Sequence, residues 1–224
     1  MPADPAATVR RHVGVLLPWA NVAVEEELPQ LGEPGVVFHY ARLVPASRTT
    51  AVDDSFWHGL RAASASAVDS LRHLPLDTTV LACTSAGFTG GPALPPGVIT
   101  AFDAVTATLH QRHVARVALA TPYPEPVTQA EAEALAAHGI EVTAHASLGL
   151  DDGYPHITPG QILTLCDGLP PAALAQANAL VLSCTGWRTL TAAAALHEQL
   201  RIPVISSNLA LATHTHSPAP GAAP

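Results

Sequence analysis

No lysine occurs anywhere in the 224 residues, and all ten basic side chains are arginine. Schiff-base chemistry and lysine-anchored pyridoxal phosphate are therefore excluded. A formal charge of -8 leaves no basic stripe for the counterion release that drives nucleic-acid binding, so no nucleic-acid partner is expected. Cysteine is scarce and odd in number. Cys83, Cys166 and Cys184 form no C-x-x-C pair, which suits reduced thiols in a cytoplasmic protein better than a disulfide framework. No apolar run reaches the ~18 residues of a membrane span. The opening "RRHVGVLLPWA" imitates a secretory signal only until Pro18 and the acidic "EEE" at 25–27 interrupt it, and no cleavage or membrane partner is expected.

What is present is apolar: 48% of residues are hydrophobic and 12% charged, a balance that buries well and argues against disorder. Apolar runs of four to six residues alternate with alanine-rich stretches of helical length, the pattern of an α/β fold around parallel sheets. The pattern recurs. "TVLACTS" and "LVLSCTG" place Cys83 and Cys184 101 residues apart; "VGVLLPW" and "VALATPY" match at an offset of 104, "GVVFHYA" and "GIEVTAH" at 104, and "GVIT" and "PVIS" at 106. Four segments in one order at nearly one offset predict a duplicated lobe. Strands are expected at 13–17, 35–41, 79–82 and 97–100, and again at 116–120, 140–145, 179–183 and 203–206. The first lobe takes residues 1–105, completed by C-terminal residues 207–224, and the second takes 106–206.

Ligands of open parallel sheets bind beyond the carboxyl ends of the strands, where both cysteines and both proline-aromatic turns fall. Two facing lobes would gather them around one cleft. At a strand-to-helix turn, free amides and the positive helix end stabilise a thiolate, so Cys83 and Cys184 are the candidate catalytic pair. Cys166, in "ILTLCDGL", reads as a small buried apolar residue. Two thiols flanking one carbon could remove and return a proton, or one could add to a double bond while the other supplies a proton, without a cofactor. Either chemistry wants a small carboxylate held by amides and hydroxyls.

The segments "GVLLPWANVAVEEE", "ACTSAGF", "RVALATPY", "SCTGWRTL" and "PVISSNLAL" resemble the aspartate/glutamate racemase superfamily, most closely its branch of maleate cis-trans isomerases and arylmalonate decarboxylases. The resemblance implies that Cys83 is the nucleophile or first acid/base and Cys184 its partner, and that Asn21, Thr84, Ser85, Tyr123 and Thr185 hold substrate carboxylates. Arylmalonate decarboxylases of the branch have glycine at the first thiol position; both thiols here favour isomerisation or racemisation, and the first reading is an isomerase of a small dicarboxylate such as maleate. Racemisation of an acidic amino acid or hydantoin, arylmalonate-type decarboxylation and a non-catalytic ligand-binding member are the alternatives. A homodimer and a monomer are both open. Three departures stand out. "TGGPALPPGVIT" leaves almost no room for a helix after the first cysteine. Gly153 of "DDGY" stands where maleate isomerases place an asparagine. The tail "THTHSPAPGAAP" replaces the usual closing helix.

Other candidates carry less. His110-x-x-His113 and His214-x-His216 have metal-like local spacing, but the first falls on an exposed helix end and the second in the tail, so no metal is expected. The three glutamates of "EEE" suit a helix start. Tyr123 is open, on position alone, between core aromatic and site hydroxyl. "GFTGGP" lacks the spacing and lysine of a phosphate loop.

Overall fold

A computed structural model describes residues 11–49 and 51–216. Arg10 of the signal-like start and residues 217–224 of the expected first-lobe completion lie outside the described residues.

The eight expected strands all form, with ends displaced by a residue or two. In chain order the first half holds β1 (Arg11–Pro18), α1 (Ala23–Leu31), β2 (Val36–Leu43), α2 (Asp54–Ser70), β3 (Thr78–Leu81), α3 (Ser85–Phe88), β4 (Val98–Thr100) and α4 (Ala101–Gln111). The second holds β5 (Arg116–Thr121), α5 (Glu125–Ala137), β6 (Glu141–Ser147), α6 (Pro159–Asp167), α7 (Pro171–Leu174), β7 (Ala179–Leu182), α8 (Leu190–Leu200), β8 (Val204–Ser206) and α9 (Ser207–His216), with a 3-10 turn at Tyr154–His156. The two sheets share one plan: β2-β1-β3-β4 and β6-β5-β7-β8, every pairing parallel. The architecture is α/β with two equivalent four-stranded lobes.

Burial explains the strands. Val13, Val15, Leu16 and Leu17 of β1 have no exposed surface, nor have Leu180, Val181 and Leu182 of β7. Helices cover both faces of a parallel sheet, which is why its central strands read as continuous apolar runs. Local chemistry starts the helices. Asp53 caps α2 by accepting from the Phe56 amide, and Thr100–Asp103 and Thr158–Gln161 close capping boxes on α4 and α6.

Two expectations need correction. The chain does close with a helix after "SSN": α9 buries Ala210, Leu211 and Ala212 and packs against α1 and α4, because the apolar run Leu209–Ala212 follows Asn208 directly and dominates the polar "THTH". His214 accordingly lies half-buried on a helix, where burial holds its pKa below the ordinary value. The segment after Cys83 is as short as expected, since α3 is a single turn of four residues.

Candidate active site

The carboxyl ends of the two sheets meet at a cavity of about 290 Å³. Cys83, which follows β3, and Cys184, which follows β7, both line it, and so do Asn21, Thr84, Ser85, Tyr123 and Thr185. All seven residues singled out from the sequence therefore share one space. Cys166 is buried on α6 and takes no part in the lining.

The hydrogen bonds run across the lobes. Asn21 caps the first turn of α1, its Oδ1 accepting from the Val24 amide, and its Nδ2 donates to Thr185 Oγ1 at 3.1 Å. Thr185 in turn donates to the Ala82 carbonyl at 2.7 Å. Thr84 donates to Ser207 Oγ at 2.9 Å, and Ser207 Oγ also accepts from the Cys184 amide at 3.1 Å. One hydroxyl thus joins the turns that carry the two thiols. Ser85 Oγ accepts from the Trp57 indole at 3.0 Å and stands 3.6 Å from Cys83 Sγ.

The two sulfurs are held differently. Cys83 Sγ is solvated by the amides of Ser85 and Ala86 and by the Ser85 hydroxyl. Cys184 Sγ accepts from the Gly186 amide at 3.2 Å and from the Tyr123 hydroxyl. Its backbone has φ 125°, a region that side-chain-bearing residues rarely enter and that tends to mark sites where surroundings enforce strain. Ser207 and Gly186 supply that enforcement. The expected strand-to-helix turn is also longer than the sequence suggested, because α8 begins only at Leu190.

Burial dominates the thiol ionisation, and here the sequence expectation of stabilised thiolates is overturned. Both thiols are buried without a neighbouring cation; Cys83 is pushed up, and Cys184 is pushed up to about 12. The amide and hydroxyl bonds oppose this without reversing it. Tyr123 is fully buried, and burial followed by the nearby Cys184 raises its pKa well above the ordinary value. Burial thus favours the neutral form of both thiols.

Several contributors were not legible in the sequence. Ser207 and Trp57 reach the site only through long-range packing. Tyr154 sets its ring edge-on to Tyr123, 5.9 Å between centroids, and lies beside Gly186, where an added Cβ would meet it at 3.3 Å. Glu27, expected merely to open α1, is buried and instead accepts from the Thr189 amide (2.5 Å), the Leu190 amide (2.9 Å), the Thr189 hydroxyl (3.0 Å) and Asn208 Nδ2 (2.8 Å), fixing the start of α8. The trio "EEE" followed by an apolar run gives no sign of which glutamate turns inward. Glu25 and Glu26 do occupy the first turn.

The lining also includes the apolar Trp19, Val52 and Phe56, while Asp151, Asp152 and His156 are among its exposed members. Gly153 also lines the cavity with φ 78° and open space where a Cβ would stand. Among the described residues no group of three or more His, Cys, Asp or Glu side chains converges on a metal position, and no helix is long and apolar enough to cross a membrane.

Comparison with known proteins places this geometry. A family model described as arylmalonate decarboxylase matches residues 85–217. The maleate isomerase of Geobacillus stearothermophilus is 25% identical, over 88% of this chain and 86% of its own length. Among solved structures, a cysteine-to-serine mutant of Nocardia farcinica maleate cis-trans isomerase with a covalently bound succinylcysteine intermediate superposes with a TM-score of 0.81 at 24% identity, covering 91% of this chain and 90% of that one. An arylmalonate decarboxylase gives 0.73 at 23% identity, covering 95% and 94%. At these identities the structures speak for the fold.

Proposed function

The chain belongs to the arylmalonate decarboxylase family, and from that premise we propose that it is a cofactor-independent isomerase of a small unsaturated dicarboxylate such as maleate. Cys83 and Cys184 are its reacting thiols. The observation that carries the reading is their joint presence on one small cavity, each following the equivalent strand of an equivalent lobe. The maleate isomerase relative supports the same class.

In this mechanism the substrate lies between the sulfurs with one carboxylate against the Ser85 hydroxyl and the Asn21 amide. Cys83 sulfur bonds to one alkene carbon, and the π pair moves toward the neighbouring carboxylate. Cys184 delivers its proton to the other carbon and takes up the proton released by Cys83. The net step is addition of S–H across the double bond. Rotation about the resulting single bond and reversal of the same transfers give the trans product and restore both thiols. Thiols whose pKa values are raised suit this balance, because the transfers create no net charge in the buried part of the cavity.

The test follows maleate conversion to fumarate by proton NMR with the wild type, Cys83→Ser and Cys184→Ser. Each variant is expected to lose at least ~100-fold in kcat, since neither half of the chemistry has a substitute. Full activity in either variant would remove the two-thiol mechanism.

The apolar walls favour one second reading, decarboxylation of an arylmalonate-type acid. There a carbon–carboxylate bond breaks, carbon dioxide leaves, and a thiol protonates the carbanion. Solvent deuterium in the product of an arylmalonate, with no turnover of maleate, would select it.

A further inference from the structure

Most side-chain donors of the cavity floor are already engaged. The hydroxyl protons of Thr84 and Thr185 are engaged by Ser207 and the Ala82 carbonyl, and one N–H of the Asn21 amide by Thr185. The Tyr154 hydroxyl donates to the Leu150 carbonyl. The remaining donors are the Ser85 hydroxyl, which also faces Cys83 Sγ, the second Asn21 N–H and backbone amides. A second carboxylate of the substrate must point toward the mouth, where the carboxylates of Asp151 and Asp152 disfavour it. An unbalanced anion in a partly desolvated site is costly, so a diacid needs a cation there.

The arginines around the site narrow the choice to one. Arg42 donates to the carbonyls of Trp19 and Asn21 and pairs with Glu25. Arg61 donates to the carbonyls of Pro92 and Ala86. Arg188 engages both oxygens of Glu26 and the Pro155 carbonyl. Among the described residues Arg48 makes no hydrogen bond or ion pair. Its guanidinium carbon lies 5.7 Å from the ring centroid of Trp19, a lining residue, and its neighbour Thr49 also lines the cavity. It stands on the loop between β2 and α2, the counterpart in the first lobe of the β6–α6 loop that carries Asp151 and Asp152.

We propose that Arg48 is the specificity-determining residue of this site, binding the substrate carboxylate remote from the thiols. The inference rests on the reading of the cavity as a carboxylate isomerase site, and it makes the enzyme selective for diacids over their monoamides. The contact with Trp19 keeps the guanidinium beside a lining residue with its donors unengaged, and such a planar fork suits two-point capture of a carboxylate. Lysine offers the charge without that planar fork.

The experiment compares wild type, Arg48→Gln and Arg48→Lys with maleate and with its monoamide, measuring both kcat/KM and, by calorimetry on Cys83→Ser backgrounds, binding. Arg48→Gln is expected to lower the ratio of kcat/KM for diacid over monoamide by ~10- to 100-fold, the range of one charge-assisted interaction, with Arg48→Lys between. An unchanged ratio, or equal losses for both substrates, overturns the inference while leaving the isomerase reading intact. Selective loss of diacid binding in a protein that turns over neither ligand upholds Arg48 and sinks the isomerase reading. Binding of neither ligand overturns both.

Discussion

Glu131 has no solvent exposure, one oxygen bonded to the Ser183 hydroxyl and the other without a partner. Burial pushes its pKa from 4.5 up to about 8, the Ser183 bond opposing. Between these values the folded chain holds a proton that the unfolded chain has released, so stability falls as pH rises from about 4.5 through about 8. Glu131→Gln keeps an acceptor for Ser183 and abolishes the titration; it should stabilise the protein by on the order of 1–3 kcal/mol at pH 9 and leave it nearly unchanged at pH 4. Urea midpoints at the two pH values check this, and equal effects at both would refute it. The thiols obey the same physics. With Cys184 pushed up to about 12 and Cys83 also raised, iodoacetamide should label the native protein slowly at pH 7 and progressively faster into the alkaline range, at the two cavity thiols before core Cys166. Rapid labelling at pH 7 would show that the unliganded site already holds a thiolate. At Gly153 the φ of 78° is one that asparagine tolerates better than other side chains. Gly153→Asn should lower the KM for maleate ~2- to 10-fold by adding one hydrogen bond to the site, and an unchanged or raised KM would place the residue away from the substrate.

Elements were legible where burial imposes a pattern. Buried parallel strands such as β3 and β7 are short apolar runs that end in small polar residues, and the near-constant offset between lobes located each one twice. Helix α9 was misread because "SPAPGAAP" beyond it suggested a tail, whereas "LALA" had already supplied an apolar face to α1 and α4. The two cysteines and Tyr123 were legible as strand-end positions and the other cavity residues only through the family resemblance, while the ionisation of the thiols was not legible, since whether amides or desolvation prevail depends on depth. Glu27 marks the same limit. Sequence shows a carboxylate in an acidic first turn; only packing shows it meeting the start of α8 from the other lobe. Removing it leaves two amides, a hydroxyl and the Asn208 amide without their acceptor. Glu27→Ala should therefore cost about 3 kcal/mol, read as a shift in urea midpoint, whereas a helix-start role alone would cost ~0.5 kcal/mol.

At the scale of the molecule, each lobe supplies one thiol and neither holds a complete site alone. Bonds that cross between the lobes converge on the cysteine turns: Asn21 to Thr185, Thr185 to Ala82, the Cys184 amide to Ser207. Ser207 is the pivot, fully buried at the start of α9, accepting from Thr84 on the first turn and from the Cys184 amide on the second. Cys184 is held at φ 125°, and loss of that acceptor leaves its buried amide unpaired and frees the turn to leave this conformation. Ser207→Ala should thus destabilise the whole protein by ~2 kcal/mol, lowering Tm by about 4–8 °C for a chain of this size, while unfolding remains one transition because both cores draw residues from both lobes. It should also reduce kcat more than it raises KM, since Ser207 orients the thiol and leaves the carboxylate donors Asn21 and Ser85 in place. Differential scanning calorimetry and steady-state kinetics on one preparation read both effects. Two separate transitions would show lobes that unfold independently, and a KM effect without a kcat effect would move Ser207 from thiol positioning to substrate binding.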